Sequence, residues 1–280
     1  MSSPGAVGFR TADDVPEELR EDLAALLLSL ADNKRLLGMR YSEWLLGAPT
    51  LEAGIACSAM AQDEWGHSRI LYAMLKDFGM EPGRLEHERE AHEYLNSELL
   101  DDPPVEWQGL VALNFLLDTA LSAQFESLKD SRFEPLHYKV RKVLEEERFH
   151  FEHGRGWVAR MAQTPAGRQA MTEALAPAWA SCLRWFGAPD GELIGRLAAA
   201  GICDAGSDEL RSRWLGRVGP LVHEAGLGLA RREGGGEWQS AAEPDWAGWD
   251  DSRRRCGEGS LNAETLASVR GDKNRAMLMD

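Results

Sequence analysis

Apolar positions recur along nearly the whole chain at helical spacing, and strand-like alternation is hard to find. Pro16 with Glu17 and Glu18 opens a first helix, because proline suits a first turn and acids suit its positive end. That helix runs through LAALLLSLADNKRLLGMRYSEWLLG and stops at Gly47-Ala48-Pro49. Thr50 caps a second helix, which carries QDEWGH and ends near Phe78-Gly79. A polar stretch, EPGRLEHEREAHEYLNSELLDDPP, crosses over to a third helix near 105–130, and a fourth follows at about 135–163. This is the up-down pairing of a four-helix bundle with a longer link between its halves. Thr164-Pro165 starts another helix and 207–230 reads as one more. The stretch REGGGEWQSAAEPDWAGWDDSRRRCGEGS, 232–260, then breaks the periodicity and reads as a linker or wrapping arm, and the last twenty residues regain modest helix character. The pattern divides the chain into a helical domain, 1–231, and a C-terminal arm, 232–280.

Composition narrows the function classes. An apolar fraction of 44% in 280 residues is ample for a core. A net charge of −15 argues against a nucleic-acid surface, which needs a basic footprint. The four cysteines form no C-x-x-C pair, so neither a disulfide framework nor a zinc knuckle is expected, and a reducing cytoplasm is the default. The opening MSSPGAVGFRTADD lacks the order of a signal peptide, and the longest greasy run, LAALLLSLA, is too short to span a bilayer. A soluble cytoplasmic protein without membrane or nucleic-acid partners is expected.

The candidate chemistry lies in two short strings. In QDEWGH, Glu64 precedes His67 by three residues, and in LEEERFHFEHGRGW, Glu147 precedes His150 likewise. At that spacing both heads share one helix face about a turn apart. Two helices each giving Glu-x-x-His supply half of a carboxylate-bridged di-metal site in a bundle. One such match alone is weak: Glu134 and His137 match too, but Pro135 between them marks a helix start. A complete site needs one more carboxylate from each partner helix. In the second half that is Asp118, inside VALNFLLDTALSAQF and 29 residues before Glu147, where an aspartate is costly to bury unless paired or bound to a cation. Its rival, Glu126, reads as part of a solvated helix end. In the first half, 30 residues before Glu64, stands Lys34, and the neighbouring acids Asp32 and Glu43 fall on a different face. The candidate metal ligands are therefore Glu64, His67, Asp118, Glu147 and His150, with Lys34 modulating the site. Protonated lysine has no lone pair to give a metal, but it neutralises part of a carboxylate cluster. Elsewhere, His87, His92, His153 and His223 read as surface groups or neighbours of the site. Arg253, Arg254 and Arg255 read as solvated beside Asp250 and Asp251. Trp238, Trp246 and Trp249 read as anchors that hold the arm on its own bundle or on a partner.

The string LADNKRLLGMRYSEWLLGAPTLEAGIA resembles the phenylacetic acid catabolic protein family, the ferritin-like subunits of the bacterial phenylacetyl-CoA epoxidase complex. RFHFEHGRGWVARM and LRSRWLGRVGPLVHEAGL continue the match, and RRRCGEGSLNAETL looks like the family's C-terminal arm. The resemblance implies an all-α, ferritin-like four-helix bundle with additional C-terminal helices and a wrapping tail. It implies a component of a multicomponent monooxygenase that oxidises an aromatic acyl-CoA thioester in phenylacetate catabolism. Iron is the implied cofactor, as one or two ions held by the five ligand candidates. The implied partners are a sister ferritin-like subunit, in a homo- or hetero-oligomer, and a separate reductase, since no flavin, nicotinamide or iron–sulfur motif stands in this chain. In the family the catalytic subunit keeps the di-iron ligands and the structural sister has typically lost them. This chain looks closer to the structural subunit yet carries five ligand candidates, with Lys34 where a catalytic member would have a glutamate. Two readings follow: an oxygenase component with its own iron site, or a non-catalytic structural subunit that binds a catalytic sister. Three carboxylates and one ammonium leave a formal charge of −2, which suits one iron, or none with Lys34 as an internal counter-ion.

Overall fold

In a computed structural model, residues 8–189, 191–232 and 234–272 are described. The first long helix, α1 (Glu17–Glu43), starts behind Pro16 as the sequence suggests and ends a turn earlier than expected, before Trp44. From Leu26 to Tyr41 every residue but Arg35 is buried, so α1 is the helix around which the others gather. Its antiparallel partner, α2 (Leu51–Leu75), begins at Thr50, whose hydroxyl accepts from the Ala53 amide, and stops shortly before left-handed Gly79. Gly38 lets the pair close: a Cβ there would meet the Trp65 indole at 2.6 Å.

The crossover is held down by polar side chains of α1. It contains the short helix α3 (Pro82–His87) and two single 3₁₀ turns. Asp32, read from sequence as an acid near the candidate site, is instead the anchor of this segment. Its carboxylate takes both terminal nitrogens of buried Arg89, the Tyr72 hydroxyl at 2.6 Å and the Leu95 amide at 2.8 Å. Ser29 donates to the Leu95 backbone carbonyl, and the Asn33 side-chain Oδ1 accepts from the Ser97 amide. Asp32→Ala would leave the Arg89 guanidinium buried and unpaired, at a cost of about 3–5 kcal/mol. Faster hydrogen exchange at the Leu95 and Ser97 amides is the expected signature, and unchanged protection would contradict it.

The second half of the bundle pairs α4 (Trp107–Ala112), a π-helical turn (Leu113–Asp118) and α5 (Thr119–Leu128), one continuous rod, with α6 (Leu136–Met161). Three further helices cover this frame: α7 (Pro165–Trp185) on α4, α8 (Glu192–Ala199) on α1, and α9 (Ser207–Glu224) on α5. Of these α8 has no counterpart in the sequence reading, because eight residues between glycines are too few to stand out as a period. The architecture is thus all-α, a ferritin-like four-helix bundle with additional C-terminal helices. Among the described residues no helix is long and apolar enough to cross a membrane.

The arm is more ordered than its composition suggests. Two antiparallel ribbons, β1 (Ala230–Arg232) with β2 (Trp238–Ser240) and β3 (Trp249–Asp250) with β4 (Arg255–Cys256), precede α10 (Ala263–Arg270). The expectation that the arginine run is solvated is wrong for two of its members. Arg254 is buried, its guanidinium over the Trp185 ring at 4.5 Å and donating to the Trp185 carbonyl, and Arg255 forms a buried fork on Asp101. The ribbon's turn drives this: Arg254 adopts φ 52°, which swings the run's last two side chains toward the bundle. Arg40 and Arg35 of α1 reach α10 through the Thr265 hydroxyl and the Val269 carbonyl. Trp238 lies over Gly219 of α9, while Trp246 and Trp249 meet edge to face at 5.4 Å and stay half-buried. The tail lies across its own bundle as far as Asp272; the rest of the arm, 273–280, falls outside the described residues.

Candidate metal centre

All four bundle rods send ionisable side chains to a common point. Lys34 comes from α1, Glu64 and His67 from α2, Asp118 from the last residue of the π-helical turn, and Glu147 and His150 from α6. The π turn is a local departure from the sequence reading, which had one regular helix here. Such single turns recur at functional sites because the extra residue re-aims the side chains around it. Its carbonyls find unusual partners: the Thr119 hydroxyl donates to Phe115, and the Trp214 indole of α9 donates to Leu116. Gly154 of α6 makes room for the wide turn, since a Cβ there would sit 2.5 Å from Asn114 Oδ1 and 3.0 Å from Phe115 Cα.

The Lys34 ammonium stands at the centre, 3.0 Å from Glu64 Oε1, 2.5 Å from Asp118 Oδ1 and 2.6 Å from Glu147 Oε1. Its three donors thus meet one carboxylate from each of the other three rods. The second oxygens of Asp118 and Glu147 are held from behind. Tyr41 donates to Asp118 Oδ2 at 2.8 Å, and Ser122 to Glu147 Oε2 at 2.8 Å. Both imidazoles turn Nδ1 inward and Nε2 outward. His150 Nδ1 lies 3.1 Å from Asp118 Oδ2, and its Nε2 3.4 Å from Asp63. His67 Nδ1 lies 3.3 Å from Glu147 and 3.5 Å from Glu64, and its Nε2 is 2.7 Å from Glu146. Carboxylate, outer nitrogen, inner nitrogen and centre follow in the order found behind metal-ligating histidines. The rim carboxylates are exchanged between helices: Asp63 of α2 holds the histidine of α6, and Glu146 of α6 holds that of α2.

Electrostatics hold the Lys34 amine in its charged form at this centre. Burial disfavours the charged form of Lys34, but Asp118, Glu147 and Glu64 outweigh it and hold its pKa far above the ordinary lysine range. Burial would raise Asp118; the Lys34 charge and the His150 contact instead hold it well below the usual carboxylate range. Glu64 is pushed up by burial and by the neighbouring Asp118 charge, having the longest of the three lysine contacts and a second oxygen without a hydrogen bond. His67 works against burial too, and its contacts with Glu147 and Glu64 push it up to about 10; His150 is likewise raised, by Glu147 and Asp118 among others. Three carboxylates therefore face three groups that favour the cationic form.

The residues present can be tested against a metal. Glu64, Asp118, Glu147 and His150 each offer a ligand atom, and these atoms all lie within 4.8 Å of one another, close enough to chelate one ion. His67 completes the ring on the α2 side, where its Nδ1 and Glu64 Oε2 are both buried without a hydrogen-bond partner. A di-iron pair does not fit. The carboxylate required from α1 is an ammonium, and Lys34 already engages one oxygen of each carboxylate that would bridge or terminate the pair. Neither nearby acid fills the gap, because Asp32 is bound to Arg89 and Glu43 to Arg40. A cavity of about 320 Å³ between α5, α6 and α9 reaches the cluster's edge at Ser122 and Glu147.

The structure gathers Lys34, Glu64, His67, Asp118, Glu147 and His150 at one point and leaves Glu126 outside, paired with Arg217 at 2.5 Å. His153 stands apart as well, beside the Trp107 and Trp157 rings. The sequence reading missed Tyr41, Ser122, Asp63 and Glu146. For the rim pair a signal existed, since each Glu-x-x-His is preceded by an acid, in DEWGH and in EERFH. A sequence profile of the family described as "Phenylacetic acid catabolic protein" matches residues 1–242. The chain is also 28% identical over 214 residues to one of the subunits of 1,2-phenylacetyl-CoA epoxidase from Escherichia coli (strain K12), covering 75% of this chain and 85% of that protein. With a profile match over most of its length, a ferritin-like bundle and a buried carboxylate–histidine cluster at its centre, the chain belongs to the phenylacetic acid catabolic protein family.

Proposed function

We propose that this chain is a non-catalytic component of an assembly of the phenylacetyl-CoA epoxidase type. In this reading it supports a ferritin-like sister subunit that oxidises an aromatic acyl-CoA, with electrons from a separate reductase. One observation carries it: the Lys34 ammonium takes the central position, with a hydrogen bond to each of three carboxylates. A protein-borne cation there satisfies the charge that a metal would otherwise supply, and it occupies oxygens a metal would need. The four cysteines are all free, and three of them are buried, which suits a reducing cytoplasm.

A second reading, an iron-bearing oxygenase component, is favoured by the inward Nδ1 atoms of both histidines and the unpartnered Glu64 Oε2. Metal analysis separates the two. The chain purified from iron-replete cells, reduced and then passed through a chelating column, is expected to carry no stoichiometric transition metal. Its melting temperature should be the same before and after chelation. One tightly held iron per chain, or a melting temperature that falls on chelation, would transfer the case to the second reading.

A further inference from the structure

We infer that an open apolar cleft beside the N-terminal half of α1 is the seat of the chain's own segment 273–280. The cleft, about 500 Å³, lies between α1, the turn at 77–80 that follows α2, and the crossover. Its apolar lining comes from Ala25 and Leu28 of α1 with Phe78, Met80 and Leu95. All of these but Leu28 are only half-buried, so the cleft leaves apolar surface in water.

The cleft continues a surface that the arm already covers. On α1, Glu21, Ala25, Leu28, Asp32 and Arg35 follow one another by four, three, four and three residues and form one stripe. The arm's helix α10 lies at the C-terminal end of that stripe. Arg40 bonds the Thr265 hydroxyl and Arg35 the Val269 carbonyl, so α10 heads toward the N-terminus of α1 as its own numbering rises. Further along, Asp32 holds the amide of Leu95, a wall of the cleft, and the stripe then opens into the cleft at Leu28, Ala25 and Glu21. The reach is sufficient. From Arg35 to Leu28 the stripe runs about 10 Å at the helical rise. Arg270, bound to the Arg89 carbonyl and to Glu90, stands just before 273–280, and an extended chain from there to Met277 spans up to about 23 Å.

Charge and apolar pattern select the occupant. Among the described residues the lining carries the carboxylates of Asp13, Glu21 and Asp77 against the guanidinium of Arg20. Arg20 is already engaged: it donates to the Val15 carbonyl at 2.9 Å and the Asp13 carbonyl at 2.7 Å, and lies 3.8 Å from the Asp13 carboxylate. Lys76 adjoins Asp77 in sequence but is not part of the lining. The segment KNRAMLMD, 273–280, sets Lys273 and Arg275 before Ala276, Met277, Leu278 and Met279, with Asp280 last. Its cations suit the acidic rim and its apolar run suits the apolar lining. Residues 1–7, MSSPGAV, precede the cleft's Ala12 and Asp13 in sequence but hold no charged side chain.

The test uses the full chain carrying Cys256→Ser, which removes the one native thiol that is not buried. Ala25→Cys with Met277→Cys, treated with a mild thiol oxidant, should give a disulfide within one chain, mapped by mass spectrometry of the digest. Glu21→Lys with Asp77→Lys should slow that link by about three- to tenfold, and adding Lys273→Glu with Arg275→Glu should restore the rate. In the chain without added cysteines, Met277→Asp with Leu278→Asp should lower the melting temperature by about 2–8 °C, because only a seated segment buries those side chains. Absence of the 25–277 link, or a link whose rate charge reversal leaves unchanged, would overturn the proposal. A melting temperature that the two aspartates do not move would do the same. A link from Ala25→Cys to Val7→Cys in place of Met277→Cys would give the cleft to 1–7, and a disulfide joining two chains would give it to a second copy; either overturns the choice of occupant.

Discussion

Lys34→Met is expected to destabilise the chain by about 3–5 kcal/mol, the cost of leaving a buried ionic cluster without one of its partners. For a domain of this size that is a fall in melting temperature of about 6–20 °C. Methionine fills similar space, so the loss is one of charge and hydrogen bonding rather than of volume. Glu64, Asp118 and Glu147 would keep their burial and lose the group that all three share. Since those carboxylates come from three different rods, their repulsion acts on the whole bundle rather than on one helix end. The effect is read by thermal melts of wild type and variant in the same buffer. A divalent metal should recover part of the loss in the variant and none in wild type, because a ligand that binds only the folded form stabilises it. A melting temperature within a degree or two of wild type would mean that the cluster sheds its charge by taking up protons, and that Lys34 is not its necessary cation.

Lys34→Glu should change the protein's chemistry rather than only its stability. The substitution puts a carboxylate on α1 and completes the ligand pattern of two Glu-x-x-His pairs with one further acid from each partner helix. Metal content should rise from none toward two ions per chain under identical loading with ferrous iron. Adding His67→Ala and His150→Ala to that variant should remove the bound metal, since the inner nitrogens of both rings face the centre. The inverse result would be just as informative: a wild-type chain already holding two metals would mean that Lys34 leaves the cluster on loading, against the geometry in which its three donors are engaged.

Much of the candidate site could be read from the sequence because helical spacing is a local rule. Glu64 with His67 and Glu147 with His150 must share a face wherever their helices lie. Asp118 was legible through cost, as an aspartate amid leucines and phenylalanines. Its offset from Glu147, carried over to the first half, leads to Lys34, since the two halves of the bundle repeat the same geometry. Non-local partners were out of reach by the same logic. That Asp63 serves His150, and Glu146 serves His67, depends on the antiparallel register of α2 against α6, which no local spacing encodes. Tyr41 and Ser122 look ordinary in sequence and matter only because their helices bring them behind Asp118 and Glu147.

The long helices, the starts of several of them and their order follow from local sequence, because periodic apolar positions, prolines and capping hydroxyls act over a few residues. Thr50 and Thr164 cap their helices as expected, each accepting from an amide three residues on. Where buried charge goes depends on packing between segments distant in the chain. Asp32 and Lys34 stand two residues apart on α1, yet one ties down the crossover through Arg89 and the other fills the centre of the carboxylate cluster. Arg254 and Arg255 look like solvent-facing residues until a left-handed turn carries them onto Trp185 and Asp101. The π turn before Asp118 likewise has no local cause in LNFLLD; it is held by the Trp214 indole from α9 and by the space left at Gly154. In each case the physical reason is the same: a buried charge or a widened turn is stable only with partners, and those partners are supplied by chain segments far away in sequence.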